Sequence, residues 1–209
     1  MTASDFAGRT LRAFSEDLAS AGPTPGGGSA AAYAGALGAA LNGMVARIAT
    51  RKADSPRLQA FVAETDALRL EFLRLIDADC DAYGDVAQAM KLPRATDQEK
   101  AARTERLQTA LVSASRVPLE IAAASRRLLD ACERAVEMAG PSTVSDVGVG
   151  ALLAEACLRG AALNVMVNLA SLKDAERVKE LSEELDRSLE GAEAQRRRVT
   201  DFVESRIAR

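Results

Sequence analysis

The chain has 209 residues, a formal net charge of −3, no His, no Trp, 3 Cys and an aromatic fraction of 3%. That length supplies one domain with a real core, while the missing His excludes a Ser-His-Asp triad, a Cys-His pair and a His-ligated zinc site within one chain. The near-neutral charge and scarce aromatic rings give no footing for nucleic acid.

Ala makes up about a fifth of the residues. Ala is the best intrinsic helix former and is depleted in strands, so the fold class is all-α. Ser4 to about Ser20 reads as a first amphipathic helix, with Phe6, Leu11, Phe14 and Leu18 near helical spacing. The run Gly22-Pro23-Thr24-Pro25-Gly26-Gly27-Gly28 breaks it. Ser29 is then a good N-cap for a second helix reaching about Thr50, on which Ala32, Gly35, Ala39 and Asn42-Gly43 form a stripe of small residues. Such a stripe admits a close backbone neighbour.

From Pro56 to Leu92 a long helix carries Phe61, Thr65, Leu68, Phe72, Leu75, Asp79, Tyr83, Val86 and Met90 along one core seam. Pro93 stops it. Thr96 and Glu99 make a capping box for the next helix, which runs to about Ala139 and is kinked or split at Pro118. Gly140-Pro141 ends it. Val144 to Leu172 is apolar on most faces and reads as a central helix, and Lys173 to Arg209 as one last charged helix. In that last helix Leu181, Leu185, Leu189, Val199, Phe202 and Val203 are expected to face the core.

The expectation is a single-domain bundle over residues 1–209, with about six or seven helices. Two nearly all-apolar helices are hard to cover within one subunit, so a two-fold homodimer is expected. Cys80, Cys132 and Cys157 are odd in number and widely spaced, which fits reduced thiols in a cytoplasmic protein. The polar start Met1-Thr2-Ala3-Ser4-Asp5 lacks an apolar signal core. The uncharged run Ser29 to Ala46 is long enough to span a bilayer, but Ala and Gly gain little from lipid, and it reads as a buried helix rather than a membrane span.

Four groups of residues carry candidate chemistry. Asp79 lies in the apolar seam, where lost hydration raises a carboxyl pKa toward the value a general acid/base needs; a core Asp satisfied by a backbone group, a cap or Arg is the plainer reading. Asp77, Asp81 and Asp85 recur every four residues and form a solvated face. The turn Gly26-Gly27-Gly28-Ser29 presents backbone N–H groups and a helix N-terminus to an anion or developing oxygen charge, or is simply a tight turn. Asp146, Asn164 and Asn168 share one helix face, yet Asp146 and Asn164 stand roughly 27 Å apart along it. They contact different parts of a long ligand or serve symmetry-related sites in a dimer, unless Asp146 is a helix cap and the two Asn bond across helices. Arg47, Arg51 and Lys52 either receive an anionic tail or complement a helix C-terminus.

Pro23-Thr24-Pro25-Gly26-Gly27-Gly28-Ser29-Ala30-Ala31-Ala32 resembles the signature of the formimidoyltetrahydrofolate cyclodeaminase/methenyltetrahydrofolate cyclohydrolase family. Asp77-Ala78-Asp79-Cys80-Asp81-Ala82-Tyr83, the Thr96 to Arg103 segment with Val117-Pro118-Leu119, and Ser145-Asp146 with Asn164 and Asn168 agree with it in order and spacing. The resemblance implies a dimeric helical domain acting on one-carbon units at N5 and N10 of tetrahydrofolate, with no metal and no cofactor beyond that substrate. It implies Asp79 as the general acid/base and the Gly26 to Ser29 turn as a site for the pterin or developing charge. Asp146, Asn164 and Asn168 would orient polar ligand groups, and Arg47 or Lys52 would meet the glutamyl carboxylates of a folate tail. The leading expectation is a cyclodeaminase, which forms the methenyl bridge from the formimidoyl compound and releases ammonia. The second is a cyclohydrolase, which opens the methenyl bridge to the 10-formyl compound. The third is a catalytically silent folate-binding or helical assembly protein.

Overall fold

A computed structural model describes residues 4–51, 53 and 55–208. Those residues form seven helices and no strand: α1 (Leu11–Leu18), α2 (Gly27–Thr50), α3 (Pro56–Met90), α4 (Asp97–Met138), α5 (Val144–Leu169), α6 (Ala175–Leu189) and α7 (Ala192–Ile207). Neighbouring helices run antiparallel. Ser29 meets Asp79 across α2 and α3, Glu64 pairs with Arg134 across α3 and α4, Ser125 reaches Cys157 across α4 and α5, and Ala31 lies against Gly160 across α2 and α5. The four long helices therefore close into an up-down bundle, with α6 and α7 laid against α4 and α5.

Each boundary has a local cause. Thr96 accepts from the Glu99 N–H while the Glu99 carboxylate accepts from the Thr96 N–H, so the expected capping box is present at the start of α4. The start of α2 differs from expectation. Gly26 is its N-cap and Gly27 its first residue, so Ser29 stands inside the first turn and its side chain is free for another task. The first helix is shorter than expected, capped by the Thr10 hydroxyl. The expected single last helix is two, because Gly191 takes a left-handed φ of 68° between α6 and α7. Leu181, Leu185, Val199 and Val203 are buried as expected, but Phe202 is exposed.

Pro118 neither splits α4 nor leaves a gap unrepaired. Proline has no N–H to give the carbonyl four residues back, which belongs to Ala114; the Asn168 amide of α5 donates to that carbonyl instead, at 2.8 Å. Between α3 and α4, Glu64–Arg134 and Glu71–Arg127 pair seven residues apart, flanked by Arg74–Glu120 and Arg57–Glu137. Such exposed pairs contribute about 0–1 kcal/mol each, so the ladder restricts the register of α3 on α4 without adding much stability.

The small-residue stripe of α2 is buried and does what its composition predicts. A Cβ on Gly38 would sit 3.1 Å from the Gly150 carbonyl of α5, and one on Gly35 would sit 2.6 Å from the Phe72 ring of α3. The helix long and apolar enough to cross a membrane is α5, and its buried face makes the centre of the bundle against α2 and α4. Its other face leaves Val149, Leu152, Leu163, Met166 and Val167 exposed, beside Leu37 and Met44 of α2.

Replacing Gly35 by Ala tests the α2–α3 contact. Ala favours a helix by about 1 kcal/mol over Gly, yet the rigid, fully buried Phe72 ring has nowhere to go. Urea denaturation should show a net loss of about 1–3 kcal/mol, partly recovered in Gly35→Ala/Phe72→Leu.

Candidate active site

At the end of the bundle where α2 begins and α5 ends lies a cleft of about 380 Å³. Gly26, Gly27 and Gly28 form one wall, Asp79 and Tyr83 the second, Leu111 and Ala114 of α4 the floor, and Asn164 and Asn168 the third. Members of three of the four sequence clusters thus converge here. The cleft shares the turn before α2, the seam carboxylate and the two amides.

The half-buried Asp79 carboxylate caps the N-terminus of α2 from a different helix. The Ser29 hydroxyl donates to its Oδ2 at 2.8 Å. Oδ1 lies so close to Gly28 that a Cβ there would fall 2.2 Å from it; only glycine lets the carboxylate in. Burial pushes the Asp79 carboxyl above the ordinary aspartate value, while the hydroxyl and N–H of Ser29, which favour the charged form, hold it back. Cys80, behind it, is also buried, and its thiol is pushed up to about 11, mainly by burial. It stays protonated and is no nucleophile at neutral pH.

Asn164 donates to the Gly160 carbonyl one turn back at 2.9 Å, and its amide borders Gly27. Asn168 spends one donor on the Ala114 carbonyl. Both reach the cleft wall, but Asn168 also has the cross-helix structural task weighed as its alternative. The side chain of Ser29 is fully buried and turned to Asp79 rather than to the cleft.

Other sequence candidates lie elsewhere. Asp146 stands in the first turn of α5, about 27 Å along the helix from Asn164, and does not line the cleft. Arg47 is twenty residues beyond Gly27 on α2, about 30 Å away, and pairs with Asp66 of α3. Lys52 lies outside the described residues. Asp77 and Asp81 are not a merely solvated face: Asp77 accepts the Phe6 N–H at 2.6 Å and Asp81 the Ser4 hydroxyl at 2.7 Å, which straps the N-terminal segment across α3. Among the described residues no group of three or more His, Cys, Asp or Glu is arranged to hold a metal ion.

Tyr83, expected in the core seam, is instead 47% exposed and lines the cleft mouth together with Met90. Its one-residue offset from strict seam spacing was the available signal. Leu111 of α4 and Val167 of α5 also line the cleft, and nothing in their local sequence marks them.

Residues 10–187 match the family model described as formiminotransferase-cyclodeaminase. A methenyltetrahydrofolate cyclohydrolase of Methylorubrum extorquens is 39% identical over 202 residues, covering 95% of this chain and 97% of that protein. A formimidoyltransferase-cyclodeaminase of Gallus gallus is 32% identical over 204 residues, covering 96% of this chain; the chain spans only 38% of that relative's length. The crystal structure of a formiminotetrahydrofolate cyclodeaminase from Thermotoga maritima matches with a TM-score of 0.82 at 29% identity, covering 94% of this chain and 96% of that one.

The raised Asp79 pKa has a consequence for stability. Between the ordinary aspartate value and the folded one, the folded chain holds more protons than the unfolded chain, so stability falls as pH rises through that window. Denaturation of Asp79→Asn across acid to neutral pH should lack this component: the variant gains on its parent as pH rises, and the gap closes below the ordinary aspartate pKa.

Proposed function

Because this chain belongs to the formiminotransferase-cyclodeaminase family, we propose that the cleft works on the one-carbon unit held between N5 and N10 of a tetrahydrofolate. The observation that carries the reading is the single half-buried carboxylate, Asp79, held by Ser29 against the start of α2 inside the cleft. A carboxyl that burial raises above the ordinary aspartate value suits a group that both takes and returns a proton.

Of the two reactions, bridge hydrolysis has one specific observation in its favour: the cyclohydrolase relative matches at higher identity and over nearly its whole length. Water adds to the methenyl carbon and loses a proton to the Asp79 carboxylate, giving a neutral tetrahedral carbinolamine. Asp79 then passes that proton to N5 as the C–N5 bond breaks, and the hydroxyl proton leaves to solvent as the 10-formyl group forms. The cyclodeaminase reading, first on sequence grounds, is supported by the Thermotoga maritima likeness and needs the same groups. There N10 attacks the protonated formimidoyl carbon, Asp79 takes the N10 proton, and the amino nitrogen receives it and departs as ammonia. Neither route as written calls on a metal or on a cofactor beyond the folate itself.

The remaining walls fit such a ligand. The N–H groups of Gly27 and Gly28 have no partner within the helix and are donors for an oxygen or ring nitrogen of a pterin. Asn164 and Asn168 supply paired donor and acceptor edges to a pterin, and the half-exposed Tyr83 ring offers a flat apolar face at the mouth. Arg47 lies too far along α2 to meet a tail bound in its own cleft. Asp146 and Arg47 serve a ligand only from a second subunit. The exposed apolar face of α5 and α2 supports such a two-fold partner, and the buried thiols fit a reducing cytoplasm.

Supplying 5-formimidoyl- and 5,10-methenyl-tetrahydrofolate separately, and following methenyl absorbance and ammonia, separates the reactions. Hydrolysis of the second above background, without ammonia release from the first, is the expected result; the reverse pattern assigns the cyclodeaminase. Asp79→Asn should bind folate and lose about a hundredfold or more in kcat, and binding with full turnover would remove Asp79 from the chemistry. Gly28→Ala should fold, displace the carboxylate by about an ångström and lose roughly a hundredfold in kcat.

A further inference from the structure

Ser29 Oγ donates to Asp79 Oδ2 at 2.8 Å, and the hydroxyl oxygen of Ser29 also lies 3.4 Å from the Ile76 carbonyl and 3.3 Å from the Cys80 sulfur. It is completely buried, so no ligand in the cleft touches it. A hydroxyl carries one proton and two lone pairs, and here it has an ionisable carboxylate and a permanently neutral carbonyl within reach, with the Cys80 sulfur as a third, weaker partner.

We propose that Ser29 is a positioning residue for Asp79: a hydroxyl that turns between the carboxylate and the Ile76 carbonyl, and so keeps the acid/base group hydrogen-bonded in both of its protonation states. With Asp79 ionised, the Ser29 proton lies on Oδ2. With Asp79 protonated there, the carboxyl O–H donates to Ser29 Oγ and the Ser29 proton swings to the Ile76 carbonyl. No partner is orphaned at either stage, which matters because an unpaired buried polar group costs about 1–3 kcal/mol. The Cys80 thiol, kept protonated by burial, is a neutral bystander to the exchange. This inference rests on the proposed role of Asp79 and adds to it the means by which a half-buried carboxylate changes charge without moving.

The electrostatic surroundings leave Ser29 as the main counterweight to burial. From α3 the neighbours of Asp79 are Tyr83 and Cys80, with Asp77 and Asp81 occupied by the N-terminal strap. The cleft residues of α2 are glycines, those of α4 are Leu111 and Ala114, and those of α5 include the neutral Asn164 and Asn168. Among the described residues no cationic side chain lines the cleft to hold the carboxylate charged.

The test is ¹³C NMR titration of the Asp79 carboxyl in the ligand-free protein, alongside kcat and KM against pH, for Ser29→Ala and the shape-keeping Ser29→Cys. Both variants should titrate Asp79 at higher pH than the parent, Ser29→Cys less so. Their kcat should fall about ten- to a hundredfold with KM unchanged, and the Asp79 limb of the rate profile should move with the NMR midpoint. An unmoved Asp79 titration in either folded variant overturns the proposal, as does a rise in KM with kcat intact, which would mean that Ser29 meets substrate. Full turnover in Asp79→Asn would instead overturn the acid/base reading, and with it the catalytic weight of Ser29, even where the two titrations differ.

Discussion

One contact organises the working end of this molecule: a carboxylate from the middle of α3 set against the first turn of α2. Helix starts need acceptors for their unpaired N–H groups, and here the acceptor comes from a neighbouring helix rather than from the local chain. Gly26 caps without a side-chain bond, which leaves room for Asp79. The carboxylate is therefore a piece of the fold as well as the proposed acid/base, and the glycine at position 28 makes its close approach sterically feasible.

Burial and hydrogen bonding oppose each other at Asp79, and the balance gives it its character. A fully solvated Asp would be too weak a base for the exchange, and one buried with no donors would hold its proton permanently. Partial burial with Ser29 beside it lies between those limits. The same two forces act on Cys80, where burial dominates and the thiol is chemically quiet. Adjacent residues on one helix, about 100° apart in direction, are thus both shifted upward by burial, with different chemical results.

The helical class, the two apolar central helices and the seam of α3 were legible because 3.6-residue periodicity and Gly-Pro breaks are local signals. The capping box at Thr96 and Glu99 was legible for the same reason. Asp79 stood out as a charge where the pattern demands an apolar residue. What sequence does not carry is the pairing across helices. Ser29 reads as a cap for its own helix because nothing local says that Asp79 will arrive, and Asp77 and Asp81 read as solvated because their partners, the backbone N–H of Phe6 and the N–H and hydroxyl of Ser4, lie more than seventy residues away. Arg47 and Asp146 carry suitable chemistry at the wrong distance, which spacing along a rigid helix revealed for Asp146 only. The break at Gly191 was missed because charge ran through it unbroken.

The bond from Asn168 to the carbonyl freed by Pro118 has a further bearing on how the bundle assembles. The ion-pair ladder between α3 and α4 is periodic, so a slip of seven residues still matches Glu71 with Arg134, and charge alone is a degenerate ruler. The proline defect occurs once in α4 and has one amide opposite it on α5. It works as a keyed notch: any misthreaded bundle leaves an acceptor stranded in a dry interior, and only the aligned one sets Leu111 and Ala114 in the floor of the cleft.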